Sequence, residues 1–174
     1  LGIPPKDVCI LMMPSSPSWT LVYYALAKMG AIVVPVNPLY RRGELNHIFR
    51  DSGARAFVGH MDYLKEPSLV MNSTPDIKIR IAEGENLPAG FRSLEELFDE
   101  AGEFKVSPTR PDDPFAVIYT SGTTGLPKGA VLTHHSLRSD AIAVTKLRYT
   151  EPQDIVLSVL PLFHIYGMTH SLNI

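Results

Sequence analysis

Short apolar runs alternate with amphipathic stretches along the chain, and the alternation itself predicts a fold. Val8–Met13, "VCILMM", is uninterrupted and apolar, the pattern of a strand buried on both faces. Ser16 and Pro17 then open a helix in which Leu21, Val22, Ala25, Leu26 and Met29 recur at helical spacing, and Gly30 stops it. "AIVVPV" (31–36) reads as the next strand, with Pro35 placing it at an edge or at a strand end. "RGELNHIFRDSG" (42–53) predicts a short helix with Leu45, Ile48 and Phe49 inward, and strand "ARAFVG" (54–59) follows. This β-α-β-α-β order predicts an α/β fold: largely parallel, βαβ-rich sheet with flanking helices.

The pattern continues with a helix around "DYLKEPSLV" (62–70), interrupted by Pro67, and strand "IKIRIA" (77–82). "EGENLPAG" (83–90) is a loop, after which Ser93 and Glu96 form a capping box for "LEELFDEA" (94–101). "KVSPTRPDDP" (105–114), with three prolines and no periodicity, predicts a linker. Beyond it lie strand "PFAVIYT" (114–120), strand "GAVLT" (129–133), a helix through "HHSLRSDAIAVTKL" (134–147) capped by Thr133, and strand "DIVLSVL" (154–160). The expected organisation is a βαβ-rich segment over 1–104, a linker over 105–113 and a second segment over 114–174 of the same domain.

The two strands at 114–120 and 129–133 frame a segment that belongs to neither. Thr120–Gly129 holds three glycines, one lysine and four hydroxyl residues, too much backbone freedom for a strand or helix interior. Clustered main-chain N–H groups in such a loop make a concave anion site, and glycines let the backbone approach phosphate oxygens closely. Ser121, Thr123 and Thr124 add hydroxyl donors, and Lys128 adds a point charge. Neither familiar phosphate loop fits: the Walker spacing from Gly122 lands on Pro127, and the dinucleotide fingerprint lacks its third glycine.

"YTSGTTGLPKGAVLTH" (119–134) resembles the signature phosphate loop of the adenylate-forming, AMP-binding enzymes, a superfamily that includes acyl-CoA synthetases, aryl-CoA ligases and luciferases. "LAKMGAIVVPVNP" (26–38) and "PLFHIYGM" (161–168) resemble two further segments of that family in the same order, so the similarity runs from about Val8 to Met168. The likeness implies a piece of a large N-terminal domain of an acid–thiol ligase. It implies ATP-dependent activation of a carboxylic acid, a medium- or long-chain fatty acid in the first instance, to an acyl adenylate, followed by transfer to coenzyme A. An aryl or cinnamate-type acid is the alternative, and an NTPase or a non-catalytic nucleotide-binding module the readings from other classes.

By the same resemblance Thr120, Ser121, Gly122, Thr123, Thr124, Gly125 and Lys128 would hold the β- and γ-phosphates of ATP. Thr123 would also stand near Mg²⁺ and act in catalysis. Lys128 is left between phosphate binding and loop packing. His164 would hydrogen-bond carboxylate or phosphate oxygen, and Tyr166, Gly167 and Met168 would line the acyl channel. Partners on this reading are the acid, ATP and coenzyme A, and the expected setting is cytoplasmic, at most peripheral to a membrane, with a homodimer of the full-length protein left open.

Composition removes other classes. The 174 residues are 45% hydrophobic, enough for a core, and the net charge of −2 argues against a nucleic-acid surface. No run of about twenty apolar residues exists to span a membrane. Cys9 is alone, so no internal disulfide forms, and its apolar strand marks it as core rather than nucleophile. His134 and His135 diverge by about 100° on a helix and cannot chelate together, while His47, His60 and His170 lack ligand-spaced partners. Arg41 and Arg42 read as a solvated turn rather than an anchor for coenzyme A.

Overall fold

The computed structural model describes residues 1–74, 76–99, 104–120 and 126–173. Seven strands form one sheet in the order β5-β4-β3-β1-β2-β6-β7. They are β1 (Val8–Met12), β2 (Ile32–Pro35), β3 (Ala56–His60), β4 (Ile79–Glu83), β5 (Arg92–Ser93), β6 (Pro114–Thr120) and β7 (Lys128–Thr133). Every pairing is parallel except β6 with β7, which is an antiparallel hairpin. The helices are α1 (Pro17–Met29), α2 (Arg42–Asp51), α3 (Lys65–Met71), α4 (Leu94–Asp99) and α5 (His134–Arg148).

The apolar runs become central strands because both sheet faces are covered. Along β1 the side chains divide by alternation, with Cys9 and Leu11 in one core cluster and Ile10 and Met12 in the other. The first cluster gathers α1 through Trp19, Val22, Tyr23 and Leu26, together with Leu94 of α4 and Leu137 of α5. The second gathers α2 through Leu45, Ile48 and Phe49, and α3 through Val70 and Met71. Helices on opposite faces follow from the strand order: the chain steps from β1 to β2, then crosses back over β1 to β3, and right-handed crossovers in opposite directions fall on opposite sides.

Local signals set the ends of α1. Ser16 Oγ accepts from Trp19 N at 3.1 Å, Pro17 occupies the first turn, and Gly30 closes the helix at φ +68°. Of the expected α1 stripe, Val22 and Leu26 are buried and Ala25 and Met29 partly so, but Leu21 is exposed and Trp19 and Tyr23 take its place. The stacked rings of Trp19 and Tyr23, 5.2 Å apart, bring more apolar area inward than Leu21 can.

Other expectations are corrected. Pro67 does not interrupt a helix: it sits in the first turn of α3, where no intrahelical N–H is required, and the break falls earlier, between a 3₁₀ turn at Met61–Tyr63 and Lys65. Ser93 Oγ accepts from Glu96 N at 3.3 Å, so half of the capping box forms, while Ser93 donates to Glu95, whose other oxygen accepts from Gly84 N. Of the two expected placements for Pro35 the strand end holds: it closes β2, which lies inside the sheet between β1 and β6. "DIVLSVL" is not a strand. Residues 154–160 lie exposed with no sheet partner among the described residues, and a β ladder needs a neighbouring strand to accept its hydrogen bonds. The proline-rich run before β6 is coil but tethered, with Ser107 N donating to Lys28 O, His135 N to Pro111 O, and His134 N to Asp113 O.

Candidate functional site

The glycine-rich segment leaves the sheet at the carboxyl end of β6. Thr120 is the last residue of that strand and pairs in register with Lys128, the first of β7; both are exposed. Ser121, Gly122, Thr123, Thr124 and Gly125 lie outside the described residues. In a parallel α/β sheet the carboxyl edge is where ligands gather, because strand ends and following helix starts open a crevice there. β6, β2 and β1 run parallel, so the end of β1 faces the same edge as Thr120.

The His164 segment is tied to that edge. Ser15 Oγ, three residues past β1, accepts from Leu162 N at 2.9 Å. β1 and β6 are separated by one strand, so their carboxyl ends stand about 10 Å apart across two strand spacings. The sheet therefore brings the β6–β7 hairpin and the "PLFH" segment, 147 residues removed from its anchor Ser15, to one edge.

His164 caps a helical turn, Ile165–Gly167, that continues into a π-type turn over Met168–Leu172. Its Nδ1 accepts from Tyr166 N at 3.2 Å and its carbonyl accepts from Met168 N at 2.9 Å. Accepting at Nδ1 places the proton of the neutral ring on Nε2, which the exposed side chain presents outward as a donor. Gly167 has a steric reason to be glycine: a Cβ there would meet Pro161 O at 2.3 Å and Leu160 O at 3.0 Å. Tyr166 is half-exposed, stacked on His170 at 4.0 Å and within 3.4 Å of Arg148 Nη2. Met168 is fully buried in the core with Trp19 and Leu26.

His47, which sequence reasoning set aside as a metal ligand, and Asp51, which it did not single out, hold the base of the hairpin. His47 Nε2 lies 2.7 Å from the carbonyl of Pro127, and the Tyr119 hydroxyl donates to Asp51 Oδ2 at 2.6 Å. Their sequence separations of 80 and 68 carry no local signal. Burial, and then the acceptor and charge of Asp51, push the Tyr119 phenol well above its ordinary range, so it stays a donor. Arg42 is the first residue of α2 rather than part of a turn, and it pairs with Glu66 at 3.7 Å. Cys9 is fully buried, and burial raises its thiol far above the reactive range. His134 stacks on Phe115 at 4.8 Å, and burial lowers its pKa from the ordinary histidine value against the opposing charge of Asp113.

The match to the family description "AMP-binding enzyme" covers residues 1–174. The chain belongs to the AMP-binding enzyme family. Among its relatives are 4-coumarate–CoA ligase 1 of Arabidopsis thaliana, 30% identical over 97% of this chain and 32% of the relative, and the 4-coumarate–CoA ligase of Pinus taeda, 33% identical over 97% and 32%. A solved long-chain-fatty-acid-CoA ligase of Archaeoglobus fulgidus superposes with a TM-score of 0.85 at 29% identity, over 97% of this chain and 34% of that one. The chain thus spans about a third of the length of the relatives it matches. The family's parallel sheet with flanking helices is the architecture described above.

Proposed function

We propose that these residues form the phosphate-loop part of an AMP-forming acid–CoA ligase, in an enzyme of its relatives' length. The observation that carries the reading is the convergence of the Thr120–Lys128 hairpin and the His164 turn at one carboxyl edge of a parallel sheet. A carboxylate is a poor electrophile. Attack of its oxygen on the α-phosphorus of ATP breaks the α–β phosphoanhydride bond and yields an acyl adenylate and pyrophosphate. The coenzyme A thiol, losing its proton, then attacks the acyl carbon and releases AMP.

In this scheme Thr120, Ser121, Gly122, Thr123, Thr124, Gly125 and Lys128 bind the β- and γ-phosphates, where fixed donors stabilise charge on the departing pyrophosphate. The His164 Nε2–H donor holds a carboxylate or α-phosphate oxygen, and Tyr166, with the buried Gly167–Met168 turn behind it, shapes the acyl side. Mg²⁺ is the customary neutraliser of ATP charge. Thr123 and the phosphates would hold that ion, and among the described residues no three His, Cys, Asp or Glu side chains converge on a metal.

The acid is the finer question. The stretch "NPLYRRGEL" and the archaeal fatty-acid ligase favour a medium- or long-chain fatty acid, whereas the plant relatives favour a 4-coumarate-type acid. Acid-dependent AMP formation with coenzyme A, assayed across C8–C16 fatty acids and 4-coumarate, separates the two. Activity with neither class removes both assignments, and phosphate release without any acid favours an NTPase.

A further inference from the structure

Helix α2 grips the phosphate-loop hairpin on both sides of the glycine segment. His47 and Asp51 are four residues apart, so they share one face of the helix. His47 reaches the Pro127 carbonyl immediately before β7, and Asp51 accepts from Tyr119 at the end of β6. The His47 ring also meets Tyr119 edge-on, with centroids 6.1 Å apart and planes at 89°. The three side chains make one cluster across the mouth of the hairpin.

The neighbours are arranged for this contact. A Cβ on Gly129, which pairs with Tyr119, would come within 2.8 Å of Val117 Cγ1 and 3.2 Å of Tyr119 Cζ, so glycine leaves the tyrosine ring its path to α2. α2 itself is anchored, with Leu45, Ile48 and Phe49 almost wholly buried. The grip therefore comes from a rigid element, the condition for holding a binding segment to a fraction of an ångström. Pro127 offers its carbonyl but no N–H, so its main chain can only accept, and among the described residues His47 supplies the donor.

We propose that His47 and Asp51 are positioning residues for nucleotide binding: by pinning Pro127 and Tyr119 they fix the two strand ends between which the phosphate-binding segment is strung. The proposal builds on the ligase reading above. Because the Pro127 carbonyl can only accept, His47 is the donor of the clasp, through Nε2–H. The groups facing it are Tyr119 on β6 and Asp51 on its own helix.

The test uses His47→Ala, His47→Gln and Tyr119→Phe in the enzyme of its relatives' length. His47→Ala raises the KM for ATP in adenylation by roughly tenfold to a hundredfold, as slight misplacement of a binding group does, while thioester formation from preformed acyl adenylate is unchanged. His47→Gln, whose amide nitrogen replaces Nε2, restores most of the loss, and Tyr119→Phe resembles His47→Ala. Amide hydrogen exchange across residues 119–129 is measured on the same samples and speeds up in His47→Ala but not in His47→Gln. That readout is independent of turnover: if the wild-type enzyme forms no adenylate yet exchange responds as stated, the clasp stands and the ligase reading falls. Unchanged exchange and unchanged KM in His47→Ala overturn the clasp. Equal losses in His47→Ala and His47→Gln, with a matching drop in melting temperature, overturn it too, because His47 is then only packing.

Discussion

Cys9 and Tyr23 each keep a proton that water would take from them sooner. Both are buried at the heart of the first core cluster, and burial raises both above their ordinary values of 9.0 and 10.0. A folded-state pKa above the unfolded one gives stability that is whole below the unfolded value and is lost as pH rises past it. The chain should therefore hold its urea midpoint up to about pH 9 and lose it progressively above, and Cys9→Ala should flatten the first part of that decline. A midpoint that is level to pH 11 would show that neither group titrates on unfolding. That Cys9 is a core residue was legible, because an apolar strand has no use for a thiolate. The glycine at 167 was legible only as part of a motif, since its cause is the carbonyl of Pro161 packed against it, which no local pattern announces.

Caps and prolines settle where elements begin and end. In α1, Ser16→Ala should cost about 1 kcal/mol through loss of the Trp19 N–H partner. Gly30→Ala should cost about 1–2 kcal/mol, since a Cβ at positive φ is strained and would crowd Thr109 Cγ2 at 3.3 Å. Chemical denaturation of the two variants checks both, and an unchanged Gly30→Ala midpoint would mean that the cap relaxes freely. The ends of α1, the limits of β6 and the Thr133 cap of α5 were readable because each is set within four residues. β5 was not, being two residues long and paired only to β4. Nor was the coil at 154–160, whose β-branched and leucine residues signal a strand, while a strand exists only where another lies beside it. The meeting of His47 with Pro127 was equally silent, because it is created by the crossover from β2 to β3 and by the hairpin together.

The whole molecule presents a well-covered sheet with an uncovered flank. Ile155, Leu157 and Val159 are 98%, 84% and 76% exposed, and an open cavity of about 480 Å³ lies between α1 and α5 beside Tyr23, Phe115 and Leu137. Exposed apolar side chains and an open apolar cavity drive association, so the 174 residues alone should form concentration-dependent assemblies by light scattering. A monodisperse monomer at high micromolar concentration would contradict that. On the ligase reading, a chain spanning about a third of its relatives' length should also fail to adenylate alone, because loop contacts to phosphate by themselves leave little net affinity after ordering costs. The central claim is that the glycine-rich hairpin at the carboxyl edge holds pyrophosphate during acid activation. The direct measurement is exchange of labelled pyrophosphate into ATP by the enzyme of its relatives' length, wild type beside Thr123→Ala, with and without acid and without coenzyme A. Exchange should require acid, need no coenzyme A, and fall roughly tenfold to a thousandfold in Thr123→Ala, while thioester formation from preformed acyl adenylate persists. Exchange that ignores the acid, or a Thr123→Ala variant equally impaired in both half-reactions, would contradict that claim.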